Sequence, residues 1–470
     1  MLGKSGASSI RAGYTLSYAS FEGATDFNEI GDAPFGDFTG QNETTFAAPF
    51  TNRATGNSIP NFYPVAPPPK HVSPSHPASG PPYDTLAEFL NAFGTIGSSP
   101  AFFYGNRLPY AENYELSFQR QLTGADLLTL SYVGTQGHRL LSSKSANPGD
   151  PALCLATPGC GPTGESNIYI NGTSVTLGTR PRLPGVELTP GQASAGLSGP
   201  IGTLLPDGNY GVIPFANDSY FITAGKSSYN SLQLNFRHTS GRLQMLLGYT
   251  YSKSLDIASG YGEQFNPVNP NLSRGLSAWD QTHNFVTSYT YVLPIDRLGG
   301  PKRLTNGWSI SGVTTFSTGL PVTMVETDDH SLLGTAFGGP ITLPVDTPDQ
   351  IAPLHKFDPR TVQTFGPPSN QVTGHFYFDP TAFVSSAIGS EGNTARRFFH
   401  GPGINNWNMA FHKDTALTEQ VNLQFRADFF NIFNHAQFAT PLGILSGAVG
   451  QVTTTSLLNR TAQLSLKLNF

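Results

Sequence analysis

The clearest structural signal in the sequence is Val421-Asn-Leu-Gln-Phe-Arg-Ala-Asp-Phe429, where apolar and polar side chains alternate strictly. A period of two residues is typical of a β-strand with one apolar and one polar face. If the strand spans a membrane, lipid contacts Val421, Leu423, Phe425 and Phe429. A water-filled lumen then contacts the alternate residues Asn422, Gln424, Arg426 and Asp428.

The same alternation recurs along the chain and predicts about ten strands. It is clean at the end of the chain, where Ala462, Leu464, Leu466, Leu468 and Phe470 alternate with polar residues. Two hairpins show it as well, one around residues 114–132 and one around residues 232–251. Weaker versions cover 11–21, 282–292, 307–324 and 404–415.

The connections between these strands are short and long in turn. Short turns lie near 123–124, 240–241, 294–306 and 416–420. Long loops cover about 22–111, 135–228, 253–281, 325–403 and 433–459. Outer-membrane barrels alternate short periplasmic turns with long extracellular loops. The sequence therefore predicts an all-β fold, an antiparallel transmembrane β-barrel with long extracellular loops.

The composition argues against the common soluble classes. Charged residues make up 12% of the chain, about half the ~25% of a soluble domain. The net charge of −5 does not suit a nucleic-acid-binding protein, and the 11% of aromatic residues does not suit disorder. No stretch approaches the ~20 apolar residues of a transmembrane helix.

No catalytic motif stands out, so we expect a protein that is not an enzyme and needs no metal or cofactor. Asp328-Asp329-His330 reads as a solvated acidic turn more readily than as a metal site. Arg426 and Asp428 share the polar face of one strand and suggest an ion pair, with a substrate contact as the alternative. Cys154 and Cys160 lie close enough in a Pro/Gly-rich segment to predict a disulfide, the alternative being two unrelated thiols.

Several stretches, taken in order, resemble one family, the Oar-like TonB-dependent outer-membrane transporters found in Acidobacteria. They include Ser9-Ile-Arg-Ala-Gly-Tyr-Thr-Leu-Ser-Tyr18, Pro109-Tyr-Ala-Glu-Asn-Tyr-Glu-Leu-Ser-Phe-Gln-Arg120, Leu130-Ser-Tyr-Val-Gly-Thr-Gln-Gly-His138 and Ser228-Tyr-Asn-Ser-Leu-Gln-Leu-Asn-Phe236. The others are Tyr249-Thr-Tyr-Ser-Lys-Ser-Leu-Asp256, Arg274-Gly-Leu-Ser-Ala-Trp-Asp280, Gly307-Trp-Ser-Ile-Ser-Gly312 and Asp428-Phe-Phe-Asn-Ile-Phe-Asn-His435.

The resemblance implies a 22-stranded barrel, a plug, a box that contacts TonB and, often, a regulatory-like domain before the plug. With only about ten strands, and neither a signal sequence nor these other parts, residues 1–470 are expected to form the C-terminal portion of such a barrel. The resemblance also implies that the barrel-assembly machinery recognises the terminal strand with Leu464, Leu466, Leu468 and Phe470.

These expectations give a function and its alternatives. The chain should lie in a Gram-negative outer membrane, contact lipid, and serve the uptake of a large solute of unknown identity. TonB would act only through a plug and box missing from the chain, and nucleic acid is not a partner. The alternatives are a passive pore or adhesin barrel, and a soluble secreted β-rich carbohydrate-binding protein.

Overall fold

The fold is given by a computed structural model. It describes residues 7–20, 51, 55–56, 100–145, 148, 151–156, 162, 167–170, 173–176, 219–260, 263–326, 328–333 and 346–470. Among these residues, no helix is long and apolar enough to cross a bilayer.

Ten strands form one continuous antiparallel sheet, in which each strand pairs with the next along the chain. The first five are β1 (Ser8–Tyr18), β2 (Tyr110–Gln121), β3 (Asp126–Ser145), β4 (Ser219–Ser240) and β5 (Leu243–Asp256). The second five are β6 (His283–Val292), β7 (Trp308–Ser317), β8 (Ile404–Ala416), β9 (Asn422–Phe430) and β10 (Thr461–Asn469). The predicted all-β, antiparallel fold is confirmed.

Short elements surround this sheet. Pro100–Phe102 pairs in parallel with the start of β4, and Gly275–Leu276 pairs with the end of β5. Small two-stranded ladders join Asn167–Ile170 to Thr173–Thr176, Asp349–Gln350 to Phe383–Val384, and Gln363–Phe365 to Val372–Gly374. The α-helices are Pro151–Ala156 and Lys302–Thr305, and the 3₁₀ helices are Pro270–Ser273, Pro294–Leu298 and Pro380–Ala382.

The two sides of the sheet differ in polarity, and the strand register shows this directly. Directly paired residues of an antiparallel sheet lie on the same face. One lateral row crosses seven strands and is apolar throughout: Ile10, Phe118, Leu130, Leu234, Tyr249, Phe285 and Phe316. A neighbouring row on the other face is polar throughout: Arg11, Ser117, Ser131, Gln233, Thr250, Asn284 and Ser317.

Large side chains of the apolar face are widely exposed in the described part of the chain. Ile10, Leu116 and Leu464 are 56%, 55% and 68% exposed to solvent. A water-soluble protein rarely leaves so large an apolar surface open. A face of this kind fits contact with lipid, and the polar face fits contact with water.

β3 and β4 are much longer than the sequence pattern suggests. They contain 20 and 22 residues, whereas a transmembrane strand needs about 9–11. The predicted loop of 135–228 therefore begins and ends inside paired strands. The two extensions mix polar residues with large apolar ones such as Leu140 and Phe221 without strict alternation, so apolar alternation could not reveal them. A bulge near Arg139, whose φ is +54°, interrupts the register between His138 and Ser142.

β7 is shorter than predicted. The sequence pattern extended it over 307–324, but the strand ends at Ser317. Gly319 and Pro321 follow, and proline has no N–H to donate to a strand neighbour. Residues 318–324 instead leave the sheet, and Val322 and Met324 are fully buried in packed loops.

The apolar core lies in the long connections rather than in the sheet. Its buried members are Val322, Met324, Phe378, Ala382, Phe383, Phe399 and Val449. They come from the β7–β8 and β9–β10 connections. We use the name loop cap for the described residues of the β5–β6, β7–β8 and β9–β10 connections (257–260, 263–282, 318–326, 328–333, 346–403 and 431–460). Backbone hydrogen bonds join its parts, for example Leu276 N–H to the Arg397 carbonyl at 2.9 Å and Val325 N–H to the Gly443 carbonyl at 3.1 Å.

Candidate functional site

The polar face of the sheet contains a concavity of about 750 Å³. It extends from the end of β4 to β10, and its wall includes Arg237, Ser311, Asn408, Arg426 and Asp428. Ligand sites in proteins are commonly clefts of ~300–1,000 Å³ with a few well-placed polar groups. The concavity is therefore the first candidate for contact with a solute.

The wall of the concavity is ordered by side-chain hydrogen bonds. Arg426 donates from Nε to both carboxylate oxygens of Asp428 at 2.8 Å, so the predicted ion pair is present. Oγ of Ser311 and Nε2 of His412 form a hydrogen bond at 2.7 Å on the neighbouring strands. These contacts hold a band of charged and hydroxyl groups on one side of three strands.

The other residues assigned to a lumen lie nearer the β8–β9 turn. Gln424 donates from Nε2 to Oδ1 of Asp414 at 2.9 Å, and Asn422 pairs with Ala416 next to that turn. The structure thus brings Arg426 and Asp428 into the concavity and leaves Asn422 and Gln424 outside it. The sequence did not single out Arg237, Ser311 or His412, because their proximity depends on the lateral register of separate strands.

Of the residues assigned to lipid, Leu423, Phe425 and Phe429 lie on the apolar face of β9, and Val421 comes just before the strand. Phe425 pairs with Leu466, and Phe429 with Ala462, on that face. The terminal residues Leu464, Leu466, Leu468 and Phe470 are strongly exposed. Every residue of β10 is exposed, because within the described part of the chain this edge strand pairs with β9 alone. The roles of these residues in lipid contact and assembly therefore stay predictions.

The loop cap is fastened to the end of β5 by a buried ionic network. Arg396 donates to Glu263 at 2.5 Å and to Asp256 at 2.6 Å, and Arg397 also donates to Glu263. Burial alone would raise the pKa of Glu263, but the hydrogen bond from Arg397 and the charges of Arg396 and Arg397 outweigh it and hold the pKa below its usual value. The network joins the β5–β6 and β7–β8 connections.

In a second group of buried acids the pKa values are raised rather than lowered. Asp346 and Glu326 are each 1% exposed. Burial and the neighbouring Asp329 raise the pKa of Asp346 to about 7. Burial and the charges of Asp346 and Asp329 raise the pKa of Glu391 to about 7 as well. Because Glu391 accepts a hydrogen bond from Asn266, this acid cluster also joins two connections.

Asp328-Asp329-His330 does not form the solvated acidic turn expected from the sequence. Asp329 is 7% exposed, and Nδ1 of His330 forms a hydrogen bond with the Ser386 carbonyl at 2.6 Å. Within the described ranges, no group of three histidine, cysteine or acidic side chains is arranged to hold a metal ion. The segment contributes to loop packing.

The predicted disulfide lies outside the described residues. Cys160 belongs to the undescribed stretch 157–161, and only the backbone of Cys154 is described, in the helix Pro151–Ala156. The pairing stays a prediction.

Solved structures similar to this chain are outer-membrane proteins of low sequence identity. The outer membrane transporter YddB from Escherichia coli is 10% identical, with a TM-score of 0.36, over 79% of this chain and 34% of that chain. The ferric-catecholate import receptor Fiu from E. coli K12 is 11% identical, with a TM-score of 0.32, over 80% of this chain and 30% of that chain. The FrpB iron transporter from Neisseria meningitidis is 10% identical, with a TM-score of 0.32, over 79% and 33%. The chain spans about a third of the length of these proteins.

No curated protein sequence matches the chain. The family model described as "Outer membrane beta barrel domain" matches residues 4–463, which is nearly the whole sequence. The outer membrane is therefore its location, in agreement with the exposed apolar face of the sheet. The chain belongs to the outer-membrane β-barrel domain family.

Proposed function

We propose that residues 1–470 form one partial barrel domain of a TonB-dependent outer-membrane transporter of the Oar-like, Acidobacteria type, which takes up a large solute. Family membership supports the barrel and the outer membrane. The ordered stretches that resemble Oar-like transporters support the finer class. In this proposal the protein is a transporter and receptor, not an enzyme.

The observation that carries the proposal is the pair of open edges of the sheet. The strand order runs from β1 to β10, and within the described residues these two end strands are not paired with each other. Unpaired backbone groups in lipid cost several kcal/mol each. Further strands between the two edges would remove this cost, and a 22-stranded barrel provides them.

The proposal assigns partners to each part of the sheet. Lipid contacts the apolar face, and the solute passes along the polar face. The barrel-assembly machinery recognises the terminal strand with Leu464, Leu466, Leu468 and Phe470. TonB acts through a plug and box outside this sheet, and the long loops lie on the extracellular side.

Disulfide trapping distinguishes this proposal from its main alternative, a small passive pore closed by the ten strands alone. In a Cys154→Ser/Cys160→Ser background, Ala12→Cys on β1 is combined in turn with Ala462→Cys, Leu464→Cys and Leu466→Cys on β10. If other strands separate the edges, no pair cross-links within one copy in outer membranes. Rapid cross-linking within single copies would show direct closure and would refute the proposal.

A further inference from the structure

A second, smaller cleft of about 230 Å³ lies where the polar face of the sheet meets the loop cap. Its floor comes from the polar faces of β4, β5 and β6, with Tyr229, Thr250 and Asn284 among the lining residues. Trp279 and Gln281, from the β5–β6 connection, form its other side. The cleft is separate from the concavity that contains Arg426.

Trp279 is exposed although its backbone is tightly fixed. The indole side chain is 61% exposed. On one side, Ala278 N–H donates to Oγ of Ser259 at 2.9 Å. On the other, Asp280 accepts from Ser254 N–H at 2.5 Å and forms a hydrogen bond with His400 at 2.7 Å. A large aromatic ring held open to water on a rigid segment is a preorganised platform for a ligand.

Apart from Asp280, the polar side chains that line the cleft are uncharged, and Asn284 donates from Nδ2 to Oε1 of Gln281 at 3.4 Å. Oδ1 of Asn284 is buried and has no hydrogen-bond partner among the described residues. A buried acceptor without a partner is costly, and a ligand hydroxyl would satisfy it. Asp280 is the carboxylate in the lining, and it is fully buried with both oxygens engaged by Ser254 and His400. The cleft therefore suits a neutral ligand rich in hydroxyl groups.

We propose that this cleft is a saccharide-binding subsite, in which the C–H face of one sugar ring packs on the indole of Trp279. Hydroxyl groups of the same ring exchange hydrogen bonds with Asn284, Gln281, Thr250 and Tyr229. A cleft below ~300 Å³ holds one ring of a longer chain rather than a whole large ligand. The inference rests on the proposed function, because it names neutral oligosaccharides as the solute class that meets this part of the wall.

Tryptophan fluorescence of the full-length chain, folded in detergent micelles, tests the subsite. The probes are maltohexaose, cellohexaose, xylohexaose and laminarihexaose, with a neutral Gly-Ser tetrapeptide and ferric citrate for comparison. At least one hexasaccharide is expected to shift the emission in a saturable manner. Isothermal titration calorimetry, which does not depend on the indole, measures the variants: Trp279→Ala should weaken that binding at least tenfold, Trp279→Phe less, and Asn284→Leu severalfold.

Trp308→Phe is the matched control, because Trp308 lies at the opposite end of the sheet, where its indole N–H donates to the Leu304 carbonyl. This variant should bind the same saccharide with unchanged affinity. Heat-modifiable migration on gels shows that each variant is folded. A response to none of the four saccharides, equal affinity of Trp279→Ala and the unmodified chain, or tighter binding of the peptide or chelate would overturn the proposal.

The saccharide-binding test and the cross-linking test of the transporter proposal can fail independently of each other. Loss of saccharide binding in a chain whose sheet edges still do not cross-link refutes the subsite alone. Direct cross-linking between the edges in a chain that binds saccharide through Trp279 refutes the larger barrel alone.

Discussion

Arg396 donates a hydrogen bond from Nη2 to Oδ1 of Asp256 at 2.6 Å, although 140 residues separate the two in sequence. Asp256 is the last residue of β5, and Arg396 belongs to the β7–β8 connection. They are 2% and 6% exposed, so the pair is shielded from water. The contact fixes the loop cap to the end of the sheet.

Breaking this pair should loosen the loop cap without dissolving the sheet. In Arg396→Met, Asp256 keeps its buried charge but loses its partner, which typically costs ~3–5 kcal/mol. Hydrogen exchange in residues 263–282 and 394–403 should rise strongly, while exchange in β4 and β5 stays slow. Arg360→Met is the control, because Arg360 and Asp358 form an exposed pair whose loss should leave exchange unchanged. Equal protection of the loop cap in both variants would contradict the claim that the Arg396–Asp256 pair fixes the loop cap to the sheet.

The strands were predictable wherever alternation was strict. β9 and β10 follow the sequence pattern to within about a residue, since apolar side chains occupy the same face at every second position. The extensions of β3 and β4 were not, because polar residues and apolar ones such as Leu140, Tyr220 and Phe221 occur there without strict alternation. In those extensions the strands are paired through the backbone, and Phe221 is fully buried, but side-chain polarity has no period of two residues.

The loop cap and both clefts could not be read from the sequence. Met324 and Phe378 share a core across more than 50 residues without any periodic pattern between them. Trp279 was visible only as part of the family-like stretch ending at Asp280. Its exposure depends on hydrogen bonds to Ser254, Ser259 and His400, which distant segments supply.

The stability of the loop cap should fall as the pH rises from about 4 to about 7. The pKa of Asp346 is raised to about 7 by burial and by Asp329, whereas an unfolded aspartate titrates near ~3.9. The folded state therefore binds the proton more tightly, so its contribution is complete below the unfolded pKa and is lost as the pH approaches 7. Protection factors for hydrogen exchange at residues 328–333 and 386–391, corrected for the intrinsic base-catalysed rate, should be higher at pH 5 than at pH 8.

Asp346→Asn removes the ionisable group while preserving most of its shape. We expect this variant to reduce the pH dependence, of which the buried Glu391 retains a part, and to protect the same segments more strongly than the unmodified chain at pH 8. Asp358→Asn, an exposed carboxylate in the same connection, should retain the dependence of the unmodified chain. Protection factors that stay constant or increase as the pH rises to 8 would mean that ionisation does not destabilise the acid cluster.

Charge should be tolerated on only one face of β4. Leu234 belongs to the apolar lateral row, and the adjacent Asn235 lies on the polar face. Leu234→Arg should destabilise the inserted protein by ~2–4 kcal/mol, the cost of a cation facing the bilayer midplane. Asn235→Arg should insert normally. Urea titration in lipid vesicles measures the free energy of unfolding of both variants. Similar losses of stability in the two would contradict the claim that Leu234 and Asn235 face opposite environments.

The central claim is that the apolar face of the sheet meets lipid and the polar face meets water. Spin labels attached to single cysteines at positions 422–429, in a Cys154→Ser/Cys160→Ser background, test it in vesicles. Labels at 423, 425, 427 and 429 should collide preferentially with oxygen, which concentrates in lipid. Labels at 422, 424, 426 and 428 should collide with a water-soluble nickel chelate, giving a period of two residues. Nickel access at all eight positions, or no alternation, would contradict the account.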